Sequence, residues 1–246
     1  MAATAEVHET HRRAVDAAGG SPTPGAVTVV CATARPEHLD RLLANHARLR
    51  GEPRLVVVTN SRRFDPAAVE ARVGAVPGAV VLHVDEDEPL GVCLNAALER
   101  VTTRFAAKLD DDDWYGPHYL DDLLRAQWAS GAAVTGKHSH FAWLADRDQV
   151  LLRFPGREMT YTSFVAGGTL LLDLEQLDGI RFPARTVGED KGLLDAVLAT
   201  GRSVFSGDRF GYLQRRTGDN TWQPGDAYLR RTVVVEAEEE WGRYDR

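Results

Sequence analysis

The chain has 246 residues, of which 43% are hydrophobic and 26% charged. That composition supports a sizeable buried core without disulfides and excludes disordered, collagen-like and coiled-coil chains. Twenty-nine basic residues against 36 acidic ones leave a net charge of −7, which lacks the electrostatic footprint of a general nucleic-acid binder.

Residues 1–25 end in Gly19-Gly20-Ser21-Pro22-Thr23-Pro24-Gly25, a breaker cluster, and read as a flexible arm. Beyond it strand and helix patterns alternate. Ala26–Ala32 is a buried-strand run, and Glu37–Leu49 is helical behind Pro36. Arg54–Thr59 follows as a strand, Pro66–Val73 as a helix, Ala79–Val84 as a strand and Gly91–Val101 as a helix. Arg104–Leu109 is predicted as a strand, Pro117–Ser130 as a helix and Ala132–Gly136 as a strand. This alternation predicts an α/β fold around a mostly parallel twisted sheet flanked by helices. The second half changes character: His138–Leu144 and Gln149–Phe154 flank a polar turn like an antiparallel hairpin. Gly167-Gly168 precedes a strand at Thr169–Leu172, Glu189–Thr200 is helical, and Arg202–Ser206 and Phe210–Arg215 are short strands. No composition shift marks a linker, so 26–246 reads as one domain, with a first half at 26–113 and a mixed second half at 114–246.

The N-terminus carries no apolar signal-peptide core, and the longest apolar run, 26–34, is too short to span a bilayer. Cys31 and Cys93, both in apolar stretches, fit a reducing compartment and read as core fillers. The expectation is a cytoplasmic protein, free or peripheral to a membrane.

The strongest chemical signal is Lys108-Leu109-Asp110-Asp111-Asp112-Asp113-Trp114. Four adjacent carboxylates repel one another and need a compensating cation. An extended strand end would put Asp110 and Asp112 on one side and Asp111 and Asp113 on the other. Such a pair suits Mg²⁺ or Mn²⁺ shared with phosphate oxygens, at the strand edge where parallel sheets bind ligands. A calcium-loop reading fails, because Tyr115 occupies a ligand position and Asp122 replaces the bidentate glutamate. On the next helix Leu120, Leu123, Leu124 and Trp128 form the expected buried stripe. Asp121 would pair with Arg125, and both Asp121 and Asp122 read as surface residues.

The second signal is Gly188-Glu189-Asp190. Asp190 falls in the middle of the stripe Leu193, Leu194, Val197 and Leu198, so its carboxylate points inward and must be paired, capped or used. Its functional reading is a general base. His138 and His140 share a strand face but lack a third zinc ligand, and Arg215-Arg216 could reach a diphosphate. The signatures of dinucleotide, P-loop and α/β-hydrolase folds are missing.

The order of these features resembles family 2 glycosyltransferases of the GT-A fold over roughly residues 26–220. Val27 to Glu37 resembles their first strand and turn, Leu90-Gly91 through Asn95 their Gly…Asn segment, Leu109–Asp113 their Leu-Asp-x-Asp-Asp form of the DxD motif, and Gly188-Glu189-Asp190 their Glu-Asp motif. The resemblance implies a nucleotide-diphosphate sugar donor, UDP-sugar favoured, and a hydroxyl acceptor such as a sugar, lipid-linked glycan or natural product. It places Ala32, Thr33, Arg35 and Asn60 at the base and ribose, Asp110 and Asp111 at the nucleotide, and Arg35, with Arg215 or Arg216, at the diphosphate. Asp112, with Asp110, would hold Mn²⁺ or Mg²⁺; Trp114, Gly167, Gly168 and Glu189 would lie on the donor-sugar and acceptor side; Asp190 would be the base of an inverting transfer. The chain departs from the family at the first turn, at the aspartate pair replaced by Asn60-Ser61, and in having no histidine after His140. Asp219, Asn220 or water is then left to complete the metal sphere. The rival readings are a nucleotidyltransferase, which would need a glycine-bearing phosphate loop after the first strand, and a sugar-nucleotide-binding relative without catalysis.

Overall fold

The structure, a computed structural model, describes residues 27–217 and 231–235. The expected arm at 1–25 and the candidate ligands Asp219 and Asn220 lie outside the described residues.

The first half is a repeated strand–helix unit. β1 (Val27–Thr33) is buried almost throughout, the pattern of a strand covered on both faces. A 3₁₀ turn at Pro36–His38 leads into α1 (Leu39–Arg48), so the single helix expected from Glu37 is split. β2 (Arg54–Thr59), α2 (Pro66–Val73), β3 (Val80–His83), α3 (Leu90–Leu98) and β4 (Phe105–Lys108) follow. α2 starts where local chemistry dictates: the Asp65 carboxylate accepts from the Ala67 N–H, with Pro66 next to it. Alternate residues of β1 serve two layers. Val27, Val29 and Cys31 pack with α1 and α2, while Val30 packs with Cys93 and Ala97 of α3.

β4 runs into a bend and then β5 (Trp114–Tyr115), α4 (Tyr119–Ser130) and β6 (Val134–Gly136). β7 (His140–Leu144) and β8 (Gln149–Arg153) form the expected hairpin. β9 (Thr160–Thr162), β10 (Leu171–Asp173), the single turn α5 (Leu174–Leu177), α6 (Glu189–Ala199), β11 (Val204–Ser206), β12 (Tyr212–Arg216) and β13 (Thr232–Val235) complete the described chain. β5, β9, α5 and β13 have no counterpart in the sequence reading.

Two sheets result. The larger has the order β3-β2-β1-β4-β10-β6-β11-β9, parallel from β3 to β4, with β10 inserted antiparallel between β4 and β6. The smaller, β13-β8-β7-β12-β5, is mostly antiparallel. This is the α/β arrangement expected, a mostly parallel sheet flanked by helices with a mixed second part.

Two details of α4 correct the expected surface. Trp128 is 54% exposed, and the neighbouring Gln127 is buried instead, donating to the fully buried Asp173 carboxylate. A buried acid needs donors, and that need overrides the apolar stripe. Asp122 is buried and pairs with Arg125 one helical turn on, while Asp121 pairs with His118. His140 Nδ1 donates to the His138 carbonyl at 3.1 Å. His140 is buried among aromatic rings, and burial pushes its pKa down to about 3.

Candidate active site

The four aspartates lie on a bend, not on a continuing strand. Two anchors impose it. From α1, the Asn45 side-chain amide donates to the Asp113 carbonyl at 2.9 Å and its oxygen accepts from the Tyr115 N–H at 3.3 Å. The buried Tyr115 hydroxyl accepts from the Asp110 N–H at 2.8 Å and donates to the Gly168 carbonyl at 2.7 Å. β5 then pairs with β12, so the bend joins the larger sheet to the smaller.

The bend changes which carboxylates meet. Asp110, Asp112 and Asp113 each bring an oxygen within 4.8 Å of the others, and Asp111 alone turns away. The expected strand alternation therefore fails at Asp113. Its carboxylate is buried, accepting from the Tyr212 hydroxyl at 2.6 Å and the Arg215 N–H at 2.9 Å. Burial, with Asp112 and Asp110 beside it, pushes its pKa well up. A set of hard carboxylate oxygens fits Mn²⁺ or Mg²⁺ better than a nitrogen- or sulfur-seeking metal, so these residues suit the expected ion.

Asp111 is held by the first turn. Thr33 Oγ1 and the Arg35 guanidinium donate to it, and His38 Nδ1 lies 3.5 Å away. Burial would raise its pKa, but His38, Arg35 and Thr33 outweigh that and hold it below the usual value. Arg35 also donates to Asp112 at 3.0 Å, so in this structure it serves carboxylates at the place where phosphate contacts were expected. Ala32 is the half-buried member of β1 at the same edge, and the Asn60 N–H bonds the Thr33 carbonyl at 3.1 Å, tying the ends of β1 and β2 together. Beyond β2 and β3 opens a cleft of about 320 Å³ walled by Phe64 and Pro66 and edged by Thr59, Ser61, His83 and Asp85.

On the other side of the bend stands the first turn of α6, entered through Gly188 at φ +80°, a left-handed conformation that favours glycine. Glu189 is the more buried of the two acids. Burial and the neighbouring Asp190 raise its pKa to about 7. Burial also raises that of Asp190, against the lowering effect of Lys108. The glycine pair lies against the acids of the site. A Cβ on Gly167 would fall 1.7 Å from Asp190 Oδ2, and one on Gly168 2.8 Å from Asp110 Oδ2. These glycines let backbone approach the carboxylates.

Lys108, Asp113, Arg41, Tyr115 and Tyr212 complete the site and were missed as site residues. Lys108 Nζ is buried and reaches Asp110 at 2.8 Å, the Gly167 carbonyl at 3.0 Å and Asp190 at 3.2 Å. Its signal was legible: a charge inside the apolar run Phe105-Ala106-Ala107. Arg41 donates to the Asp112 carbonyl at 3.3 Å. Burial and this neighbouring arginine lower the Arg215 pKa against the pull of Asp113 and Asp112. Arg215 also lies over Trp143, Arg48 lies over Trp114, and the Arg216 carbonyl accepts from Ala145.

Neither a protein-family model nor a curated protein sequence matches the chain. Solved structures do. A segment of S. aureus TarS in complex with UDP-GlcNAc superposes with a TM-score of 0.63 at 17% identity, over 82% of this chain and 63% of that one. The same segment with UDP gives 0.62 at 19% identity, over 78% and 60%. The mannosyltransferase PcManGT from Pyrobaculum calidifontis, in complex with GDP-Man and Mn²⁺, gives 0.62 at 17%, over 89% and 70%. The chain thus spans about three fifths of the TarS segment's length. Among the described residues no helix is long and apolar enough to cross a membrane. The chain has the GT-A fold of these glycosyltransferases.

Proposed function

We propose that the chain is an inverting, family 2-like glycosyltransferase that moves a sugar from a nucleotide-diphosphate donor to a hydroxyl acceptor. One observation carries the reading: a metal-type carboxylate cluster and the inward Asp190 meet across Lys108 at the carboxyl ends of parallel strands. Three structures with this fold hold UDP-GlcNAc, UDP, or GDP-Man with Mn²⁺, which supports a sugar-nucleotide donor.

In this reading the base and ribose lie against Ala32, Thr33 and Asn60, with the cleft beyond β2 and β3 beside them. Asp110 and Asp111 serve the nucleotide side; Arg35, Arg215 and Arg216 are the cations for the diphosphate. Asp112, Asp110 and Asp113 would hold Mn²⁺ or Mg²⁺, which would supply positive charge to the leaving diphosphate. Asp190 takes the proton of the acceptor hydroxyl. The acceptor hydroxyl's oxygen forms the new bond to the anomeric carbon as the bond from that carbon to the diphosphate oxygen breaks on the opposite face. Trp114, Gly167, Gly168 and Glu189 line the sugar and acceptor side. The acceptor is a sugar, lipid-linked glycan or natural product, the chain works in the cytoplasm or at its membrane surface, and nucleic acid is not a partner.

Calorimetry with the diphosphates of uridine, thymidine, guanosine, adenosine and cytidine in Mn²⁺ tests the reading. The uridine nucleotide should bind tightest, because the Asn60 amide offers both a donor and an acceptor to a uracil edge. Asp112→Asn should weaken Mn²⁺-dependent binding by at least about tenfold. Unchanged affinity would remove the metal assignment; tightest binding of a purine nucleotide would remove the role given to Asn60.

A further inference from the structure

Of the chain's 29 basic residues only Lys108, Lys137 and Lys191 are lysine. Two of the three are buried inside the protein, Lys108 among them. An arginine would not serve at position 108. Its planar fork is long and directional, whereas an ammonium is a compact charge with three donors. Two of them are hydrogen-bonded here, to Asp110 Oδ1 at 2.8 Å and the Gly167 carbonyl at 3.0 Å, while Asp190 Oδ1 forms an ion pair with the ammonium at 3.2 Å and Glu189 at 4.0 Å.

Lys108 therefore divides the acids of the site. On one side are Asp110, Asp112 and Asp113, whose oxygens come within 4.8 Å of one another; on the other are Asp190 and Glu189. Asp110 is the shared wall. One of its oxygens is on Lys108, and the other lies where a Gly168 Cβ would touch it, facing Asp113. Asp190 is seated as tightly, since a single methyl on Gly167 would overlap its Oδ2. The acids are thus packed around the lysine from both sides.

We propose that Lys108 is a positioning residue that keeps Asp190 out of the metal's coordination sphere and so leaves it available to an acceptor hydroxyl. Asp110 and Asp190, which share one ammonium, would otherwise converge on one divalent ion, because a second charge on the cation outcompetes any single hydrogen bond. An ammonium between them offsets the charge of Asp190 while leaving its Oδ1 without a hydrogen bond. The inference rests on Asp190 being the base, as proposed above.

The probe is Mn²⁺ alone, titrated by calorimetry into wild type, Lys108→Met, Asp190→Asn and the double variant. Removing the ammonium should tighten Mn²⁺ binding by about tenfold or more, since a like charge leaves the ion's surroundings and Asp190 joins it. In the Asp190→Asn background the same lysine change should gain clearly less, because the recruited ligand is gone. A lysine that only supports packing predicts unchanged or weaker Mn²⁺ binding in Lys108→Met, or the same effect in both backgrounds; either result overturns the proposal. Should Lys108→Met not fold, a crystal structure of wild type with Mn²⁺ decides it. Asp190 remaining on Lys108, away from the ion, upholds the proposal, and Asp190 ligating the ion overturns it. A wild type that binds no Mn²⁺ removes the metal reading and this inference together. Metal binding without the predicted gain removes the inference alone, and wild-type turnover in Asp190→Asn removes the base.

Discussion

Asp190 and Glu189 are adjacent in sequence, yet their surroundings give them different work. Asp190 sits against Gly167 and Lys108 with its carboxylate partly exposed, as the proposed role of meeting an acceptor requires. Asp190→Asn should lower turnover of the best-binding sugar nucleotide by about 10²–10⁴, the scale of a positioned general base, with nucleotide-diphosphate affinity little changed. Steady-state kinetics beside calorimetry would check this, and loss of nucleotide binding instead would reassign the residue. Glu189 is buried, and its carboxyl keeps the proton to about pH 7 where 4.5 is ordinary. Because the folded state binds this proton more tightly than the unfolded one, the stability it contributes is full below about pH 4.5 and is lost as pH rises towards 7. Glu189→Gln stays neutral throughout. Its melting temperature should therefore exceed that of wild type at about pH 8, and the gap should close near pH 4.5. A constant gap across that range would show that Glu189 does not titrate in the fold.

α1 is the element that shapes the aspartate bend, although none of its residues stands in a recognisable motif. Asn45 is 2% exposed and serves both sides of the bend. Asn45→Ala would leave buried backbone groups of Asp113 and Tyr115 without these partners, so denaturant unfolding should show a loss of about 1–3 kcal/mol. Mn²⁺ affinity should fall with it; full stability and full affinity together would mean the bend stands without α1. The same contact explains how much of the site was legible in the sequence. Local rules sufficed for strands and helices with strong periodicity: Arg54–Thr59 and Pro66–Val73 begin and end where their patterns do. They failed where long-range partners decide. The backbone of the four aspartates obeys Asn45 and Tyr115, so alternation misplaced Asp113, and Gln127 follows the buried Asp173. Lys108 was visible as a charge in an apolar strand, whereas nothing local marks Tyr212, whose hydroxyl meets Asp113 across 99 residues of chain.

At the scale of the molecule, the bend is where the two sheets are joined. β4 belongs to the larger and β5 to the smaller, and the Asp113 side chain holds β12 through the Arg215 amide. Ligands that bind the bend should therefore stabilise both sheets. Saturating UDP and Mn²⁺ should slow hydrogen exchange at 212–216 by about tenfold or more, along with the edge of β1 and β2. Protection confined to the first half would show that the smaller sheet opens independently of the nucleotide. The lysine distribution has a practical side too. Lys108 and Lys137 are sealed inside, whereas the Lys191 side chain is 71% exposed. Amine-reactive dyes, cross-linkers and coupling surfaces thus find, besides an α-amine, a single reactive side chain, and it directly follows Asp190. Attachment through lysine would tether the protein by the rim of its proposed site, so immobilised assays call for a tag placed elsewhere.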